Sequence, residues 1–381
     1  MPRLCRTVLL LAVVSCACRG VSIRPESADA STIAAVDLTA NERRVLAETV
    51  DRAVDAVVRR RYAEAEVAAN EALALDPRSA RARATIGMVL FQKSAASDPP
   101  DLFLANAGER EILLAMEIAP EDAFAGWLHA VFLALSGHMS AAAQAAEDAL
   151  VRAEKAPATE RAALLGIAGT YRYELGEERA ALPHLQAYVA LRPDDSAACF
   201  RVGSCLLRKS AVPQGAKADA ILAAQRDAEN AASAFARCCE LAPGDEDGAL
   251  AGVAAWKRAA DLAHQRGDTV VYERHFAEAE KLCHSAAARF PSNAEAMFRL
   301  GVLAEERKAF PAAAAAYAQA LGRNGDHLGS LLNLAALSES GALVGAPAAR
   351  ELWSRALAVD ARRGGLSADE RRRLEARVRG S

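Results

Sequence analysis

The chain has 381 residues, of which 52% are hydrophobic, 25% are charged and only 5% are aromatic. The apolar content comes mainly from Ala, Leu and Val, and because alanine has the highest helix propensity, this composition predicts packed helices and excludes an extensive β-sheet. The formal net charge of −3, with no long basic run interleaved with aromatics, excludes a general attraction to nucleic acid.

The first residues have the layout of a secretory signal peptide. Arg3 and Arg6 precede a short apolar run at 8–14, and a small residue, Ser15, stands before Cys16. The run is far below the roughly 20 apolar residues that a membrane-spanning helix needs. We therefore expect cleavage and not membrane insertion.

The segment Val-Val-Ser-Cys at 13–16 resembles the lipobox of bacterial lipoproteins. The resemblance implies that residues 1–15 are a signal peptide, that Cys16 is lipidated, and that 16–38 are a flexible tether. Acyl chains would then hold the protein on a membrane without a spanning helix. Ala17 after the cysteine favours the outer membrane, facing the periplasm of a bacterial cell envelope. In the alternative, Cys16 belongs to an ordinary signal peptide that is cut further on.

The body of the chain repeats a two-helix pattern, clearest over 294–327. Small residues fall where paired helices would touch, and larger residues fall at the outer contacts. These residues are Met297, Leu300, Gly301, Ala304, Phe310, Ala313, Tyr317, Ala320 and Leu321. The unit resembles the tetratricopeptide repeat (TPR), and the same frame recurs over 46–79 and 162–195. Weaker copies end at Pro120, Pro157, Pro243 and Pro291, where a proline stops a helix.

The resemblance implies an all-α fold for residues 39–363, a right-handed superhelical TPR solenoid of about eight helical pairs. Three helix starts have capping-box spacing, at Thr39 with Glu42, Ser292 with Glu295 and Ser367 with Glu370. The last one predicts a polar C-terminal capping helix within 364–381.

Three intervals between the prolines that close successive repeats, 77–120, 193–243 and 243–291, exceed one repeat. A helical pattern continues through 216–239 and 272–288, so we expect longer helices there and true loops only at 97–100 and 212–215.

Motifs for catalysis, cofactors and metals are missing from the sequence, so we predict no enzyme activity, no cofactor and no metal site. His275 and His284 are too far apart along one helix to share a metal and are expected on the solvated surface. Cys199 could form a disulfide with Cys238 or Cys239 in an oxidising envelope. The favoured alternative is that these cysteines are buried thiols.

The TPR frame also predicts a partner-binding groove formed by first helices. Its residues would be Tyr173, Phe200, Arg201, Ser204, Arg208, Lys257, Arg258, Phe298 and Arg299. Such a basic groove with aromatics would suit an extended peptide that carries carboxylates. In the alternative, these side chains are simply the solvated faces of amphipathic helices.

Taken together, the sequence predicts an envelope lipoprotein that docks or assembles other proteins, with an unidentified protein or peptide as partner. Lipoproteins of similar architecture serve pilus assembly, outer-membrane barrel assembly, cell-wall hydrolases and solute uptake, and the sequence singles out none of them. The alternative is a ligand-binding or transport-associated periplasmic TPR lipoprotein, which would need a closed apolar cavity.

Overall fold

The computed structural model describes residues 29–341 and 348–380. In this part of the chain there are 17 α-helices, one short 3-10 helix at Ala30–Thr32, and no β-strand. None of the described helices is long and apolar enough to span a membrane. The predicted all-helical repeat fold is therefore confirmed.

The helices fall into two compact units, which meet between Cys205 and Leu206 inside one helix. The helices of unit 1 are α1 (Ala40–Val58), α2 (Tyr62–Leu75), α3 (Ala80–Ala95), α4 (Leu102–Ile118), α5 (Ala123–Leu135), α6 (Met139–Arg152), α7 (Ala158–Glu174) and α8 (Glu178–Leu191). The boundary lies in α9 (Ser196–Lys209).

The helices of unit 2 are α10 (Ala218–Leu241), α11 (Glu246–Gln265), α12 (Thr269–Arg289), α13 (Ala294–Glu306), α14 (Phe310–Arg323), α15 (Leu328–Glu339), α16 (Ala349–Arg363) and α17 (Ala368–Gly380). The expected lengthening of helices is visible here, since α10 has 24 residues and α12 has 21. The expected loops at 97–100 and 212–215 both lie between helices.

Helices pack as antiparallel pairs, and in unit 1 the pairs are α1 with α2, α3 with α4, α5 with α6 and α7 with α8. The first helices of successive pairs also contact each other, α1 with α3, α3 with α5 and α5 with α7. Unit 1 therefore presents a continuous row of first helices on one side, which we call its inner face.

Short turns within the pairs require one residue in the left-handed backbone region. Gly137, Gly176 and Gly267 supply it with φ of 83°, 76° and 74°. Arg60 and Lys308 occupy the same turn position with φ of 60° and 58°, which costs a residue with a Cβ about 1–2 kcal/mol. The turn geometry is therefore kept even where glycine is absent.

Close helix approach explains the small residues of the repeat. In unit 1, a Cβ on Gly126 would lie 2.5 Å from the Ala149 side chain. In unit 2, Gly301 lies against the ring of Tyr317, which is fully buried. Buried side chains such as Phe91, Ile112 and Leu128 then fill the space between pairs, each stabilising the fold by about 1.5–3 kcal/mol.

Two of the three predicted capping boxes are present, at Thr39 with Glu42 and at Ser367 with Glu370. The third prediction, Ser292 with Glu295, is wrong. Asn293 caps α13 instead, because its side-chain oxygen accepts from the backbone N–H groups of Glu295 and Ala296. The Glu295 carboxylate is drawn to Arg299 and His327, so it is not available for a reciprocal cap.

Candidate functional site

The inner face of unit 1 carries half-buried apolar side chains from successive first helices. Trp127 and Val131 lie on α5, and Ile167 and Tyr173 lie on α7, where the polar Thr170 is half-buried between them. Trp127 packs against two core clusters at once, so its ring is held in place by the helices on both sides. The face therefore offers fixed apolar surface at low entropic cost, which suits contact with another chain.

One end of this face is tied together by Arg81 of α3. Its Nε donates to Asp122 Oδ2 of the α5 cap at 2.9 Å, and its Nη2 donates to Glu160 Oε1 of α7 at 2.9 Å. Burial alone would lower the pKa of Arg81, but these carboxylates raise it above the ordinary arginine value. The guanidinium therefore stays charged and joins three successive first helices.

An open cleft of about 590 Å³ surrounds this ion-pair cluster. Besides the three residues of the cluster, charged side chains of Glu121, Arg152, Glu154 and Lys155 line it. A cavity of this kind is suited to charged or polar groups of a ligand, and its charged lining disfavours a small hydrophobic molecule.

The predicted groove residues of unit 1 are brought together at α7 and α9. The Arg201 guanidinium lies 6.0 Å from the centre of the Tyr173 ring and 3.7 Å from the Glu174 carboxylate. Phe200 and Ser204 are half-buried on the same helix as Arg201, and the Ser204 hydroxyl donates to the Phe200 carbonyl at 3.0 Å. Arg201 is thus a cation in a loose ion pair beside an aromatic ring.

In unit 2, two of the predicted groove cations join neighbouring helices. Lys257 of α11 bonds to Asp261 on its own helix at 2.5 Å and to Glu306 of α13 at 2.8 Å. Burial lowers the pKa of Lys257, but the two carboxylates raise it overall. Arg258 donates to the Ser210 carbonyl at 2.8 Å.

Among the remaining predicted residues of unit 2, Arg208 lies exposed on the last turn of α9, and Arg299 and Phe298 contact residues within the unit. Arg299 bonds to Glu295 at 2.8 Å and donates to the Leu250 carbonyl at 2.9 Å. The Phe298 ring lies 5.0 Å from His327, centre to centre. Lys257, Arg258 and Arg299 thus hold segments of unit 2 together. The role of these cations and of Arg208 in binding stays a prediction.

The prediction that His275 is a solvated surface residue is wrong. It is only 3% exposed, because α10 and α11 cover it. Its Nε2 lies 2.8 Å from the Glu229 carboxylate, and its ring stacks on Trp256. His284, on the same helix, is exposed as expected. Within the described residues, no group of three or more His, Cys, Asp or Glu side chains could hold a metal ion.

Two of the cysteines, Cys238 and Cys283, are buried thiols that donate hydrogen bonds. The Cys238 Sγ donates to the Asp245 carboxylate at 3.2 Å, and the Cys283 Sγ donates to the Ala296 carbonyl at 3.4 Å. Burial raises the pKa of Cys283 to about 12, so this thiol is unreactive at neutral pH. Cys16 and the predicted signal peptide lie outside the described residues.

Arg81 and Trp127 were not anticipated as site residues. Arg81 bonds to residues 41 and 79 positions away, and no local pattern links them. Trp127 stands five positions after Asp122, the N-cap of α5, just as Phe298 stands five positions after Asn293, the N-cap of α13. Since Phe298 was predicted to line the groove, the same position in α5 could have identified Trp127.

Fold and site together define a helical-repeat protein whose paired helices present a row of first helices. Residues 264–327 match the family model described as tetratricopeptide repeat. Residues 264–327 are thus similar to a tetratricopeptide repeat, and the other described helices pack in pairs of the same kind.

Among curated proteins, none matches the sequence significantly. Solved structures of similar fold include Pseudomonas aeruginosa PilF, at 14% identity over 64% of this chain and 93% of that one, with a TM-score of 0.42. Another is YrrB, titled a TPR protein with an unusual peptide-binding site, at 16% identity over 58% of this chain and 95% of that one, TM-score 0.43. A third is PilW, titled a type IV pilus biogenesis factor, at 17% identity over 65% and 94%, TM-score 0.38. Likenesses of this size say nothing about what this chain binds.

Proposed function

We propose that this protein is a docking module that binds an extended segment of another protein on the inner face of unit 1. The observation that carries the proposal is the row of first helices on which Trp127, Ile167 and Tyr173 are held half-buried by the core beneath them. Rigid aromatic anchors of this kind supply much of the binding energy of protein interfaces.

The partner segment would combine apolar side chains with a carboxylate. Arg201 supports the second part, since its contact with Glu174 is 3.7 Å long and the glutamate side chain is 46% exposed. A partner carboxylate can take over such a loose pair and form a bidentate, charge-assisted contact. Arg81 is a poorer recognition group, because two carboxylates already hold it.

The second element of the proposal is location. Lipidation of Cys16 would anchor the protein to the bacterial envelope, with the helical units on the periplasmic side of the outer membrane. The proposal rests here on the sequence pattern at 13–16 and on the short apolar run before it.

A cross-linked pull-down from the native host tests the docking role. The protein would carry a C-terminal tag, and its companions would be identified by mass spectrometry. We expect one stoichiometric envelope partner, whose recovery falls at least tenfold with Tyr173→Ala combined with Arg201→Gln. Val67→Ala is the matched control, since Val67 is 60% exposed on the second helix α2. Unchanged recovery with the double variant would refute the site.

Anchoring is tested separately by Cys16→Ala. We expect this variant to leave the membrane fraction, and mass spectrometry of the parent should find the lipid on residue 16. A parent protein that fractionates as soluble would refute the anchor and leave the docking result standing.

A further inference from the structure

Exposed apolar side chains of unit 1 collect where its paired helices turn. Among the described residues of the unit, nine large hydrophobic side chains are exposed. Five of them stand at the end of a first helix or at the start of a second one: Val58, Leu102, Phe103, Met139 and Leu175. Turns are normally polar, so this placement is unusual for an edge that only meets water.

The topology brings the turns of unit 1 to a single edge. Each pair is antiparallel, and the first helices contact one another in chain order, so the four turns follow one another in a row. The first turn is 59–61, the second 96–101, the third 136–138 and the fourth 175–177. We call this row the turn edge. Successive first helices pack about 8–10 Å apart, so the row is about 30 Å long.

The first turn is positively charged. It consists of Arg59, Arg60 and Arg61. Arg59 and Arg61 both bond to Asp55, and Arg61 also bonds to Glu64. Among the described residues, the exposed Arg60 is left without a carboxylate partner. The first turn therefore offers a guanidinium to a partner molecule.

The fourth turn is acidic. The side chains of Glu174 and Glu177 are both 46% exposed there. Glu177 shares the guanidinium of Arg172 with Glu147, and Glu174 has the loose 3.7 Å contact described above. Residues 178–179 add one charge of each sign. An excess of carboxylate therefore remains at this end of the row.

The two middle turns differ in length and in charge. The second has six residues, and it contributes two carboxylates and two exposed apolar side chains: Asp98, Asp101, Leu102 and Phe103. The third has three residues, contains His138 and no carboxylate, and is followed by the exposed Met139. A long acidic turn with an apolar end thus stands next to a short turn that lacks acidic groups.

We infer that unit 1 pairs with a second copy of this chain through the turn edge, in an isologous dimer whose two rows run antiparallel. A two-fold axis perpendicular to the edge, between the second and third turns, places the first turn of each copy against the fourth turn of the other. It also places the second turn against the third. Arg60 then meets Glu177 of the second copy, and Phe103 meets its Met139.

The order of charge along the row favours a second copy as the occupant. The row is positive at one end and negative at the other, so it complements itself when it is reversed, and a two-fold axis reverses it. The carboxylates of the second turn face a turn without carboxylates, so no like charges are opposed there. The inner face lies along the sides of the first helices and stays open to a partner.

The size of the edge predicts weak association. A row about 30 Å long and one helix pair wide buries less surface than a standard interface. We therefore expect a reversible monomer–dimer equilibrium with a Kd on the order of 10 µM.

Sedimentation equilibrium tests the inference. The protein would be the chain from residue 16 onward with Cys16→Ser, in reducing buffer so that no disulfide joins two copies. Leu102→Ser combined with Phe103→Ser should raise the Kd at least about tenfold. Val151→Ser is the matched control, because Val151 is 81% exposed but lies at the other end of its helix pair. It should change the Kd less than about twofold.

Charge reversal tests which turns meet. Arg60→Glu alone and Glu177→Lys alone each place like charges at both contacts of a homodimer, so each should raise the Kd about tenfold. A one-to-one mixture of these two variants should associate as tightly as the parent, because both contacts again join opposite charges. Circular dichroism should show the same helicity for every variant.

Three outcomes would overturn the inference. They are a parent that stays monomeric at about 200 µM, far above the expected Kd, an equal weakening by Val151→Ser, and a mixture of the two charge variants that does not associate. Because the protein carries no lipid and no partner is added, these results do not depend on the proposed anchor or on the docking role.

Discussion

Arg81 should be the most important single side chain for the integrity of the inner face. Arg81→Met keeps the length of the stem but removes the bonds to Asp122 and Glu160, whose side chains are 14% and 24% exposed. Hydrogen bonds between charged groups contribute about 1.5–3 kcal/mol when partly buried, and two carboxylates would be left facing each other. With a discount for the 32% exposure of Arg81 itself, we expect a loss of about 2–4 kcal/mol.

Fluorescence-monitored urea unfolding can measure this loss in unit 1 alone. Trp256→Phe and Trp353→Phe would leave Trp127 as the single fluorescent reporter. The Trp127 ring centre lies 5.8 Å from the ring centre of Phe124, and the Arg81 guanidinium lies over that Phe124 ring. A double-mutant cycle with Glu160→Gln should give a coupling energy of about 1 kcal/mol or more. The loss should shrink in 1 M salt, where the Debye length is about 3 Å.

The reasoning would be refuted if Arg81→Met cost less than about 0.5 kcal/mol, the size of an ordinary surface substitution. The reasoning would also fail if the losses in unfolding free energy caused by Arg81→Met and Glu160→Gln simply added in the double variant. The contacts would then be a surface ion pair that does not hold the first helices together.

Three further predictions concern stability, each checked by urea denaturation. Lys308→Gly should stabilise unit 2 by about 0.5–1 kcal/mol, because it relieves a left-handed residue; a destabilised variant would show that the turn carries no strain. Gly301→Ala should cost about 1–3 kcal/mol, since its Cβ would press on the immobile ring of Tyr317. Gly322→Ala is the matched control and should not lower the free energy of unfolding, because a Cβ at this position would meet open space. Burial of His129 lowers its pKa to about 4 from 6.5. Stability should therefore be complete above pH 6.5 and fall by about 3 kcal/mol on acidification to pH 4, because only the unfolded chain takes up the proton. His129→Asn should flatten this dependence of stability on pH. If the variant lost stability on acidification as steeply as the parent, the role of His129 would be contradicted.

Much of the fold could be predicted because its determinants are local. Prolines end second helices, small residues recur where paired helices meet, and the Thr39 and Ser367 boxes satisfy orphan N–H groups three residues away. The Ser292 error shows the limit. Ser292 and Asn293 are both good caps, and the choice depended on Arg299 and His327, which compete for the Glu295 carboxylate.

The candidate site was harder to predict because its contacts are remote along the chain. His275 was judged only against a neighbour on its own helix, whereas Glu229, 46 positions earlier, binds and buries it. Lys257 and Arg299 were assigned to a groove by register, and register does not show that Glu306 and the Leu250 carbonyl already hold them. Partner-binding surface is therefore best sought where fixed apolar side chains remain half-buried.

Site-specific photo-crosslinking in the native host tests the central claim most directly. A benzoylphenylalanine probe would replace Tyr173 on the inner face of unit 1 or Val67 on the second helix α2. The account predicts that the probe at 173 captures one envelope protein in an adduct of defined mass, and that the probe at 67 captures none. The same adduct from both positions, or an adduct only from 67, would contradict the claim that the inner face is the docking surface.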